Sequence, residues 1–96
     1  MDRTLVLQRM RESRLPLRGM GVISLALFGS VARGEATGES DVDILVKLDN
    51  PVTFDKYMNV KLYLEDLLKC RVDLVIDDSL RSQFRPFVEK DAVYVA

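Results

Sequence analysis

The sequence has no histidine. That removes imidazole general bases, serine–histidine and cysteine–histidine nucleophile pairs, and every metal centre built on imidazole. A single cysteine, Cys70, excludes an internal disulfide and a cysteine-rich zinc site. Neither sign of charge dominates: 14 Lys and Arg against 15 Asp and Glu leave a formal charge of −1. Binding to duplex nucleic acid by bulk attraction is therefore not expected. The longest largely apolar run, Val22 to Phe28, is too short to span a membrane, and the opening residues lack the basic stretch, apolar core and small-residue cleavage site of a secretory signal. A reduced, cytoplasmic setting with no membrane partner is the expectation. Repeats, low-complexity tracts and Pro/Gly/Ser linkers are also missing, and 96 residues predict one domain, 1–96. What chemistry there is must come from carboxylates, hydroxyls, Lys, Arg or the backbone.

Apolar residues make up 48% of the chain, and the mean hydropathy is +0.03. Both are high for a body with so much surface relative to volume, which points to a partner covering part of it. Charge is uneven in place. Arg3, Arg9, Arg11, Arg14 and Arg18 crowd one end, whereas Glu35, Glu39, Asp41, Asp43 and Asp49 are answered between them only by Lys47. The acidic block is where a cation would go.

Periodicity predicts an alternation of helices and strands. Asp2 to Arg14 reads as a helix that stops by Leu15, because Pro16 disfavours helical geometry in the residue before it. Val22 to Phe28, apolar on both faces except at Ser24, reads as a central strand. Asp41 to Leu48 alternates, with Val42, Ile44, Val46 and Leu48 on one face and Asp41, Asp43, Leu45 and Lys47 on the other. Phe54 to Lys69 is predicted as the main helix, capped by Thr53, with Tyr57, Val60, Leu64, Leu67 and Leu68 as its apolar stripe and Glu65–Lys69 as a surface pair. Arg71 to Ile76 is a third strand. Ser79 or Ser82 is expected to cap a short helix through Phe84 to Lys90, with Pro86 in its first turn, and Ala92 to Val95 an edge strand.

One spacing carries chemistry. A strand ends in Gly29-Ser30; ten residues later Asp41-Val42-Asp43 opens the next strand. Gly29 has no Cβ to keep a phosphate from the backbone, Ser30 adds a hydroxyl, and Ser30 to Arg33 can start a short helix whose free amides face an anion. Arg33 is a weaker candidate for a phosphate contact, since Arg33, Lys47 and Arg71 also read as surface charges. Asp41 and Asp43 share a strand face about 7 Å apart at Cα, close enough to share one or two hard divalent cations. Taken singly, each part has a plain reading as a capped turn, a solvated strand face or a surface carboxylate.

Topology joins the parts. Antiparallel pairing of the first two strands brings Gly29-Ser30 to Asp41, and the long helical connection suits a parallel third strand. Asp73 then sits beside Asp41 and Asp43, so three carboxylates are expected to meet at one corner of a mixed sheet. Such a corner suits nucleotidyl transfer. Asp41, Asp43 and Asp73 would hold two Mg2+ ions, Gly29 and Ser30 the outer phosphates, and Asp73 would accept the proton of an incoming hydroxyl.

Leu27 to Val46, with Asp73 one strand later, resembles the minimal nucleotidyltransferase (MNT) family of the DNA polymerase beta superfamily. Gly29, Ser30, Asp41, Asp43 and Asp73 match its Gly-Ser, Asp-x-Asp and third-carboxylate pattern, and the order of elements matches over nearly the whole chain. The resemblance implies the α+β nucleotidyltransferase fold, with helices packed on a mixed sheet. It implies the antitoxin half of a two-gene system, a Mg2+-dependent transferase moving AMP from ATP to a tyrosine hydroxyl of a HEPN-domain ribonuclease toxin. Two rivals remain: a non-catalytic module that neutralises its partner by masking it, and a small-molecule nucleotidyltransferase, against which stands the lack of an additional acceptor-holding domain.

Overall fold

The computed structural model describes residues 2–35 and 41–96. Glu39, counted above in the acidic block, lies outside the described residues. Helix α1 (Arg3–Glu12) begins where the Asp2 carboxylate accepts from the Leu5 amide, and buries Val6, Leu7 and Met10. A second short helix, α2 (Arg14–Gly19), follows at once. This corrects the expected stop at Leu15: the helix breaks at Ser13 and restarts, which puts Pro16 in a first turn, where its missing N–H costs nothing.

Strand β1 (Val22–Phe28) leads directly into α3 (Gly29–Ala32), and β2 (Val42–Leu48) follows. Helix α4 (Phe54–Leu68) is capped as expected, with the Thr53 hydroxyl accepting from the Lys56 amide at 3.1 Å. The expected Glu65–Lys69 pair does not form. Lys69 takes the left-handed conformation that ends the helix and reaches Asp66, while Glu65 accepts from the Val72 amide and so ties helix to strand. Strand β3 (Val72–Ile76), a single 3-10 turn at Asp77–Ser79, α5 (Arg85–Asp91) and β4 (Val93–Tyr94) complete the chain. Neither Ser79 nor Ser82 caps α5, whose N-cap position is Phe84 with no side-chain bond. Arg85 secures this end instead, donating to the carbonyl and carboxylate of Asp77.

The sheet order is β3-β2-β1-β4, with β1 antiparallel to both neighbours and β2 parallel to β3. β1 is therefore central, as its sequence suggests, except that a bulge between Val22 and Ser24 turns Ile23 out to solvent. One face of the sheet, carrying Leu25, Leu27, Val42, Ile44 and Val46, packs with Val6, Met10, Val60, Leu64 and Leu68 from the helices to form the buried core. Each such fully buried side chain contributes about 1.5–3 kcal/mol of transfer free energy. Tyr57 fastens α4 to β3 through its hydroxyl, which donates to the Leu74 carbonyl at 2.6 Å. Among the described residues no helix is long and apolar enough to cross a membrane.

Candidate active site

The register fixes the site. Phe28 pairs with Asp43 across the antiparallel ladder, and Asp43 pairs with Asp73 across the parallel one. Residues opposite each other point to the same face. Asp43 and Asp73 therefore stand side by side on the face away from the core, at the edge where β1 gives way to α3.

Gly29 meets them there. Its φ of +76° belongs to the left-handed region that glycine enters at little cost. A Cβ at this position would lie 2.9 Å from Asp43 Cγ and closer still to Oδ2. Sequence reasoning reserved the space beside Gly29 for a phosphate. The structure gives the space nearest the glycine to the Asp43 carboxylate, so the turn seats the acid. Ser30, half-buried, is the next residue, and the first amides of α3 lack intrahelical partners.

Asp43 is half-buried and holds its proton above the ordinary aspartate range of 3.8. Burial is the main cause, followed by the charges of Asp73 and Asp41 and a hydrogen bond with Asp73; the Arg33 charge acts in the opposite direction. Of the three carboxylates expected to meet, the structure brings Asp43 and Asp73 together. Asp41 stands exposed just before β2, where it acts on Asp43 through its charge. Among the described residues no three His, Cys, Asp or Glu side chains form a ready-made metal cage. The donor set nonetheless fits a small hard cation. Mg2+ keeps several waters and takes one or two carboxylates together with substrate phosphates, and two facing carboxylates supply that share.

Arg33 follows α3 and is exposed, its guanidinium donating to Glu35 at 3.1 Å and to Asp91 at 2.8 Å. Asp91, on α5, escaped the sequence reasoning because nothing local links it to Arg33, 58 residues away. The available signal was an acid at the C-terminal end of a helix, where the backbone dipole disfavours it. Arg3 was missed as well. It reaches from α1 to the Ala32 carbonyl at 2.9 Å and so anchors the far end of α3.

Comparison with known proteins bears on the family and the fold. A family model described as nucleotidyltransferase domain matches residues 7–95. The chain is 45% identical over 75 residues to the protein adenylyltransferase MntA of Thermococcus cleftensis, covering 78% of this chain and 76% of that protein. Over 77 residues it is 44% identical to a Methanocaldococcus jannaschii protein provisionally named a protein adenylyltransferase, covering 77% of each. A solved structure provisionally named a minimal nucleotidyltransferase superposes with a TM-score of 0.82 at 39% identity, covering 97% of this chain and 95% of that one. A chain from the complex of tri-AMPylated Shewanella oneidensis HEPN toxin with its MNT antitoxin shares the fold, with a TM-score of 0.67 at 20% identity over 94% of this chain and 71% of that one.

Proposed function

Because the chain belongs to the nucleotidyltransferase domain family, we propose that it is a Mg2+-dependent protein adenylyltransferase that moves AMP from ATP to a tyrosine hydroxyl of a HEPN-type toxin, silencing it as an antitoxin. The observation that carries this reading is the seating of Asp43 between Gly29 and Asp73. Two acids held so close at an open sheet edge are a standing electrostatic cost that a cation relieves.

Asp43 and Asp73 would hold the metal, with Asp41 completing the set from the strand entrance. A Mg2+ ion held there would supply charge neutralisation for the triphosphate and for the charge that develops on the attacked α-phosphate and the departing pyrophosphate. Gly29 and Ser30 take the outer phosphates at the start of α3, and Arg33 faces them from its end. The acceptor oxygen forms its bond to the α-phosphorus as the bond to the β-phosphate oxygen breaks. Asp73, the more exposed of the facing acids, accepts the hydroxyl proton, a task for which the chain has no imidazole.

The experiment is intact mass spectrometry of the partner toxin after incubation with this chain and Mg-ATP. The toxin gains one AMP unit or an integer multiple, and the gain disappears when Asp41 and Asp43 are both changed to Asn. A toxin of unchanged mass rejects the enzymatic reading. The masking alternative draws support from large exposed apolar side chains, Phe54 at 75% and Phe87 at 74% accessibility. It requires the double variant to go on protecting cells while the complex persists.

A further inference from the structure

The two acids that hold Arg33 are not equivalent. Glu35 is its near neighbour in sequence, and its side chain is 66% exposed, so water screens that pair. The Asp91 side chain is only 20% exposed and comes from the last turn of α5. There the helix presents its negative end, and a carboxylate is locally disfavoured. Residues set against their local preference concentrate where a site needs them. Arg33, meanwhile, closes the single turn of α3, its amide donating to the Gly29 carbonyl at 3.1 Å, and Gly29 is the residue against which the Asp43 carboxylate is seated. A guanidinium left free beside two facing carboxylates would close onto them and neutralise the pair that a cation requires. Asp91 holds it from the other side.

We propose that Asp91 is a positioning residue for nucleotide binding: by engaging Arg33 Nη1 it keeps the guanidinium off Asp43 and Asp73 and turned toward the phosphates of the incoming nucleotide. This rests on the nucleotide-binding reading of the site given above. The planar fork of Arg makes the arrangement possible, since one edge can be fixed by Asp91 and Glu35 while the remaining N–H donors stay directed elsewhere. It also gives α5 a part in the reaction that its sequence does not announce.

Calorimetric titration of the intact chain with Mg-ATP, without any partner protein, tests the inference. Asp91→Asn should weaken nucleotide binding about tenfold, the loss of one charge-assisted contact. Asp91→Glu should recover most of the affinity. Arg33→Ala should weaken binding at least as much, and Asp91→Asn added to Arg33→Ala should cost nothing further, because Asp91 acts only through the guanidinium. Wild-type affinity in Asp91→Asn overturns the proposal, as does an equal loss with and without Arg33, which would make Asp91 a packing residue of α5. If the wild-type chain binds no Mg-ATP at millimolar concentration, the reading of the site falls and this inference with it. If it binds ATP but modifies no partner, only the acceptor half of that reading fails and the Asp91 comparison still decides.

Discussion

The paired strands β1 and β2 end in two glycine–aspartate contacts, and the difference between them locates the chemistry. At one end Gly21, with φ +98°, bonds backbone to backbone with Asp49 at 2.8 Å, and a Cβ there would lie 2.7 Å from Asp49 Oδ1. At the other end Gly29, with φ +76°, stands in the same relation to Asp43. The Asp49 carboxylate is closed off by Lys56, which also donates to the Asp49 carbonyl at 3.1 Å. Among the described residues no lysine is bonded to Asp43, whose partner across the parallel ladder is a second acid, Asp73. The same local device serves architecture where the charge is neutralised and leaves a demand for a cation where it is not.

The contrast breaks most sharply under Asp43→Asn. Measured as initial rates of AMP incorporation into the partner, transfer should fall on the order of 10³-fold, because a metal contact is worth several kcal/mol in the transition state. Asp49→Asn should leave the rate unchanged. Metal linkage comes next. Mg2+ at a hundred times its dissociation constant should stabilise the wild-type chain by about 2.7 kcal/mol in thermal melts, and Asp43→Asn should lose most of that gain. In chelator the order reverses, with the Asn variant melting higher because one of two facing charges is gone.

The glycines themselves come third. Gly21→Ala and Gly29→Ala should each cost about 1–2 kcal/mol in urea unfolding, for a side chain forced to positive φ. Only Gly29→Ala should also lose transfer, since its methyl group displaces the Asp43 carboxylate. The smallest effect is Lys56→Ala, worth up to about 1 kcal/mol for a partly exposed pair and leaving transfer untouched. Loss of transfer in the Gly21 or Lys56 variants would show that the two ends are coupled.

Much of this was legible in the chain itself. The bounds of β1 came out as read, and those of β2 and α4 within a residue, because long stretches with a clear period of two or 3.6 bury one face and leave little freedom of register. The spacing of Gly29, Ser30, Asp41, Asp43 and Asp73 was visible because all five lie at strand ends, where sequence separation translates directly into position. The misreadings share a cause as well. The break at Ser13, the pairing of Lys69 with Asp66 and the fastening of the start of α5 by the Arg85–Asp77 contacts, with neither Ser79 nor Ser82 as a cap, turn on single side-chain contacts that several local arrangements satisfy about equally.

By itself, then, the order of residues determined the elements, the mixed sheet and the absence of imidazole, since hydrophobic period and composition act over a few neighbouring positions. Folding alone decided that Asp43 would fill the place beside Gly29 and that Asp91 would reach Arg33 from the end of another helix. Those outcomes depend on how strands align and on contacts between distant segments, and such contacts have no signature in the neighbouring sequence.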